Sequence, residues 1–153
     1  KFNKKGQEGA IYTRLMVKWP PAITPGTITR QVGNVIVLQS TFWELAGGAY
    51  PKEKDGLEMQ PTEGKSLVPV FKGESREGHE WLFWVYRGNK AARHGRWKIV
   101  SLGRGDPKDM KIWELYDLET DRTETRNLAG KYPERVAEMA QAWCDWAERT
   151  NLP

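Results

Sequence analysis

The tightest constraint on this chain lies near its end. Pro133 can take a first helical turn, where a missing N–H costs nothing. From there Val136, Met139, Ala140, Trp143 and Ala147 trace a single apolar stripe at helical spacing. A helix of that kind has to bury its stripe against another layer. The chain just before it reads as β-structure. Trp81-Leu82-Phe83-Trp84-Val85-Tyr86 and the run from Ala91 to Leu102 flank Gly88-Asn89, a dipeptide suited to the positive φ of a two-residue hairpin turn. Two antiparallel strands are predicted, the second with Trp97 and Ile99 on one face and Lys98 and Val100 on the other. A third strand is predicted over residues 112–118, and Asp117-Leu118-Glu119-Thr120-Asp121 turns the chain away from it. The expected fold class is α+β: a small antiparallel sheet packed by a C-terminal amphipathic helix.

The first half is punctuated differently. Leu15-Met16-Val17-Lys18-Trp19 is a short apolar run stopped by Pro20-Pro21, which suits a buried strand, and Pro25-Gly26 marks a turn. Between positions 34 and 45, Val35, Leu38, Phe42 and Leu45 recur at helical spacing, and Gly47-Gly48 supplies a C-terminal stop. Residues 49–80 are rich in Gly, Pro, Lys and Glu, with one brief apolar stretch at Leu67-Val68-Pro69-Val70-Phe71, and read as a connection between two packed units. The chain opens on Lys1-Phe2-Asn3-Lys4-Lys5-Gly6 without Met, as expected of a fragment.

Composition narrows the function classes. With 153 residues, 39% of them hydrophobic and 29% charged, the chain can bury one sizeable core and is no disordered tail. Eight Trp are many for this length, and about three in four of them are expected in the core. A net charge of +4 favours anionic ligands, but Lys and Arg are interspersed with acids and form no stripe, so nucleic-acid binding is not expected. No segment approaches the apolar length of a membrane span. Cys144 is the only cysteine and falls within the predicted closing helix, as a small apolar group. There is no Cys/His metal spacing, Walker or Rossmann loop, G-x-S-x-G or H-E-x-x-H motif. His79 and His94 have no acidic partner at an informative spacing, and by themselves they read as surface or rim residues.

Read in order, Lys5-Gly6-Gln7-Glu8-Gly9-Ala10-Ile11, Leu15-Met16-Val17-Lys18-Trp19-Pro20, Pro25-Gly26-Thr27 and Thr41-Phe42-Trp43-Glu44-Leu45-Ala46-Gly47 resemble consecutive segments of the arylsulfatase family. The resemblance continues through Glu63-Gly64-Lys65-Ser66-Leu67, Leu82-Phe83-Trp84, Gly88-Asn89-Lys90-Ala91, Trp97-Lys98-Ile99-Val100 and Glu114-Leu115-Tyr116-Asp117-Leu118, then Glu124 and Asn127-Leu128-Ala129. It implies an alkaline-phosphatase-like α/β enzyme whose C-terminal domain is an antiparallel sheet with a long terminal helix. On that basis residues 1–50 would end the large catalytic domain and contribute its last strand and helix. Residues 51–80 would be the connection and 81–153 the C-terminal subdomain.

The same resemblance implies a sulfuric ester hydrolase acting on aryl sulfates or sulfated sugars, periplasmic or secreted. Its calcium ion and its formylglycine nucleophile would be held by residues upstream of Lys1, leaving the fragment alone inactive. One family residue would fall inside, a lysine that holds the sulfate and the leaving-group oxygen. Lys5 matches it, with Lys4 as the alternate, and a compact cation suits the neutralisation of developing negative charge. Where many relatives carry Glu-His-Glu before Gly-Asn, this chain has Val85-Tyr86-Arg87, which puts a cation at the substrate rim. Arg87 and His79 are the candidate substrate-binding residues. Two alternatives stay open: a phosphoester or phosphonate hydrolase of the same superfamily, and a non-catalytic module binding anionic glycans through Arg87, Lys90, Arg93 and Trp84.

Overall fold

The computed structural model describes residues 6–152. In chain order the elements are α1 (Glu8–Ile11), α2 (Ile36–Leu45), β1 (Glu53–Lys54), β2 (Leu57–Glu58), α3 (Val68–Phe71), β3 (Trp81–Tyr86), β4 (Asn89–His94), β5 (Trp97–Ser101), a 3-10 turn (Met110–Ile112), β6 (Trp113–Asp117) and α4 (Pro133–Arg149). They form two compact units. One runs through Arg14 and resumes at Glu80, and the other is Leu15–His79.

The first unit is built on a four-stranded antiparallel sheet in the order β3-β4-β5-β6. Its two faces differ, because side chains alternate along a strand. One face carries Ala92, Ile99, Trp113 and Leu115, and α4 lays Val136, Met139, Ala140 and Trp143 across it to form the main core. The stripe predicted after Pro133 is thus buried as expected, and Trp143 Nε1 also donates to the Trp84 carbonyl at 3.2 Å. The other face carries a smaller core of Ala91, Val100 and Tyr116 with Trp84 and Leu102 against it. Six of the eight Trp (81, 84, 97, 113, 143 and 146) lie in or against these two cores. Beyond β6 the chain folds back on that strand: Leu115 donates to Asn127 Oδ1 at 3.1 Å and accepts from the Leu128 amide at 2.8 Å. The β6 edge of the sheet is thereby paired at its centre.

The hairpin differs in detail from the prediction. The loop residues are Arg87 and Gly88, at φ 50° and 83°, one position earlier than Gly88-Asn89. Asn89 opens β4 opposite Tyr86, with its Oδ1 accepting from the Gly103 amide at 3.0 Å. The run from Ala91 to Leu102 is not a single strand but parts of two, β4 and β5, with His94 paired to Trp97 across Gly95-Arg96. Gly95 makes that turn at φ 58°, a conformation costly for a residue with a Cβ.

In the Leu15–His79 unit, α2 closes at Gly47 with φ 68°, the stop read from the sequence. Its buried Thr41 hydroxyl donates to Val37 O at 2.6 Å and accepts from the Leu67 amide at 2.9 Å, which joins α2 to the start of α3. Gly64 is required where it stands, since a Cβ there would come 2.2 Å from Ile36 O. Asp55-Gly56, both at positive φ, turn the short β1–β2 hairpin. Leu15-Met16-Val17-Lys18-Trp19 corrects the sequence reading: these residues form no strand and stay exposed, Met16 at 92%. Apolar composition does not make a strand without a neighbouring ladder to bond to, and no strand among the described residues pairs with this stretch.

Leu115 is fully buried at the centre of the main core, so Leu115→Ala is expected to lower stability by about 2–5 kcal/mol in urea unfolding. At the β4–β5 turn, Arg96 donates to Asp117 Oδ1 at 2.8 Å and holds its carboxyl down to about 2 from 3.8. A depressed carboxyl stabilises the folded state above its unfolded value, and the contribution fades as pH falls from about 4 to about 2. In Asp117→Asn the urea midpoint should therefore depend less on pH across that interval than in the wild type.

Candidate functional site

The least ordinary position in the first unit is Lys98, a lysine with no exposed surface in the middle of β5. β5 is hydrogen-bonded on both sides, to Arg93 of β4 and Tyr116 of β6 at this position, so the side chain starts from a rigid backbone. Alternation points it away from α4, onto the sheet's second face. There its ammonium lies 2.9 Å from Glu8 Oε1, 2.8 Å from Glu124 Oε1 and 5.8 Å from the centroid of the Trp84 ring. A buried ammonium needs such partners, since removal from water costs several kcal/mol. The two acids come from distant segments and are tied to each other as well: the Glu8 amide donates to Glu124 Oε2 at 2.5 Å.

Each acid has its own support. Glu8 opens α1, whose first-turn amides lack partners within the helix, and Glu124 supplies an acceptor for one of them. Glu124 holds φ 54° in a loop organised by Asp121, whose carboxylate accepts the Thr125 and Arg126 amides at 2.8 Å each. Burial pushes the Glu124 carboxyl above its usual range, and Lys98 pulls the other way. Beside the triad, burial and then the neighbouring Glu114 carboxylate raise the Tyr116 phenol well above its ordinary value, with its hydroxyl donating to Glu114 Oε2 at 2.8 Å.

Of the residues singled out from the sequence, Lys4 and Lys5 lie outside the described residues. Arg87 stands exposed at the tip of the β3–β4 hairpin, its guanidinium 5.3 Å from the Tyr86 ring centroid. His79 closes the other unit, with Nε2 2.9 Å from the Glu63 carbonyl, and burial lowers its pKa. The remaining cations do not gather on one face. Lys90 points to the α4 side and donates to the carbonyls of Gly88, Gly103 and Gly105 at 3.2, 3.4 and 2.8 Å, whereas Arg93 and Trp84 stand on the opposite side. Among the described residues no three His, Cys, Asp or Glu come together in a way that could hold a metal ion. No helix among them is long and apolar enough to cross a membrane.

Residues 2–145 match the family described as N-sulphoglucosamine sulphohydrolase, C-terminal. The chain belongs to that sulfatase family. A sulfatase of Formosa agariphila is 30% identical over 162 residues, covering 95% of this chain and 29% of the relative. The N-acetylglucosamine-6-O-sulfatase of Bacteroides thetaiotaomicron is 26% identical over 137 residues, covering 83% of this chain and 23% of the relative. A solved 2-O GAG sulfatase superposes with a TM-score of 0.52 at 28% identity, over 75% of this chain and 24% of its own. This sulfatase chain thus spans about a quarter of the length of the curated relatives it matches.

The triad of this sulfatase domain escaped the sequence reading. Lys98 was placed on the face away from Trp97 and Ile99, but nothing local distinguishes a buried strand lysine from a solvated one. Glu8 and Glu124 are 116 residues apart. Lys98→Met leaves the buried Glu124 and the part-buried Glu8 carboxylates without their cation and is expected to cost about 3–5 kcal/mol in equilibrium denaturation. Adding Glu124→Gln should return part of that loss, because the two positions share one charge network.

Proposed function

We propose that this chain is the C-terminal part of a sulfuric ester hydrolase that removes sulfate from sulfated glycans. The observation that carries the reading is the family match over residues 2–145, in a chain whose relatives include sulfatases named for glucosamine and GAG substrates. Within the chain, Lys5, with Lys4 as the alternate, is the residue that would act on the substrate. Its ammonium would neutralise a sulfate oxygen and the leaving-group oxygen as negative charge grows there, the role a pre-placed cation performs best. Arg87 and His79 would lie at the substrate rim. Calcium and the formylglycine nucleophile belong, on this reading, to the part of the enzyme outside this chain. The chain alone would then be inactive, and the enzyme would work in a periplasm or outside the cell.

The test is the parent enzyme assayed for sulfate release from O-sulfated glucosamine and for phosphate release from the matching phosphate ester. Sulfate release is expected, with Lys5→Ala lowering kcat/KM by about 10²–10³ and Lys4→Ala much less. Phosphate release in preference to sulfate, or full activity in both lysine variants, would overturn the reading.

A further inference from the structure

We infer that Lys98 and Glu124 are positioning residues for the chain that leads to Lys5: through Glu8 they fix where residues 6–8 lie. The inference rests on the sulfatase reading above. Residues 6–8 lie closely on the sheet. Gly6 sits where a Cβ would come 3.2 Å from Ala91 Cβ and 3.3 Å from Lys90 O, so only glycine lets the backbone approach β4 this far without a shift. Gln7 is buried. Glu8 is held at two points, its amide on Glu124 and its carboxylate on Lys98, while Lys98 and Glu124 are paired with each other. The contacts close a ring, and a ring fixes position where a single bond would leave rotation. Further on, the Arg122 guanidinium lies 5.0 Å from the Tyr12 ring centroid, so the 121–126 loop grips the segment at a second place.

Lys5 is bonded directly to Gly6, the first residue of this docked stretch. A cation that must meet a developing charge has to be placed closely, since a misplacement of about 1 Å can cost about 10²-fold in rate. The sheet supplies the reference. Lys98 stands on the doubly paired β5, and Glu124 stands in a loop held by the Asp121 carboxylate. A charged triad with Lys98 and Glu124 buried and Glu8 nearly so is a poor source of stability compared with apolar packing of the same volume. Its directional contacts instead set where residues 6–8 lie.

The experiment uses the full-length parent enzyme with Lys98→Met, Lys5→Ala and the double variant, read by amide hydrogen exchange over residues 6–11 and by kcat/KM for sulfate release. In Lys98→Met, exchange over residues 6–11 is expected to rise by more than the loss of global stability, read from the main core, accounts for. Activity is expected to fall about 10²-fold, chiefly in kcat. Combined with Lys5→Ala, the second substitution should add almost nothing, because both remove the same contribution. Unchanged exchange overturns the inference, and so do losses that multiply in the double variant, or intact activity in Lys98→Met beside a damaged Lys5→Ala. If Lys5→Ala itself leaves activity whole, the sulfatase reading of that lysine fails, and the inference falls with it. Should Lys98→Met not accumulate as folded protein, Glu8→Gln leaves the Lys98–Glu124 pair intact and carries the same comparison.

Discussion

A lysine ammonium held out of water has few stable environments, and Lys98 occupies one of them. Its charge is met by Glu8, Glu124 and the face of the Trp84 ring, so stretches that are far apart in sequence must come together at one point. The consequence reaches beyond the ion pairs themselves. Glu8 cannot reach Lys98 unless α1 lies on the second face of the sheet. Glu124 cannot reach it unless the loop after β6 turns back with a positive φ.

The two faces of the sheet therefore do different physical work. Against α4 the contact is apolar and broad, built from Ile99, Leu115, Met139 and Trp143, and supplies the non-directional burial on which the unit's stability rests. On the second face the contact with residues 6–8 is narrow and polar, and its energetic return comes from geometry more than from area. The small sheet thus has one face that makes the unit fold and another that receives residues 6–8.

Legibility in the sequence followed the range of the interactions. The α4 stripe and the Gly47 stop were readable because helix periodicity and C-terminal glycine conformation are set within a few residues. So was the alternation of Trp97 and Ile99 against Lys98 and Val100, since the two-residue period of a strand is local. The turn at Gly95-Arg96 was signalled by the glycine and yet was absorbed into a longer apolar run. Residues 15–19 were misread for the opposite reason: their composition suits a strand, but a strand exists only by pairing, and no partner strand stands beside them. Arg87 and His79 were identifiable as polar residues in a family context, while their surroundings, a hairpin tip and a contact with the Glu63 carbonyl, came only from the fold.

By itself the sequence determined the α+β class, the sheet-and-helix pairing and the sulfatase family, because each rests on local periodicity or on ordered motifs along the chain. Only the tertiary structure decided that Lys98 is buried, that Glu8 and Glu124 are its partners, and that Lys90 faces carbonyls while Arg93 stands on the other side. The physical reason is that burial of a charge depends on groups brought from anywhere in the chain, and a side chain carries no mark of whether its counter-charge will be water or a carboxylate 90 residues away.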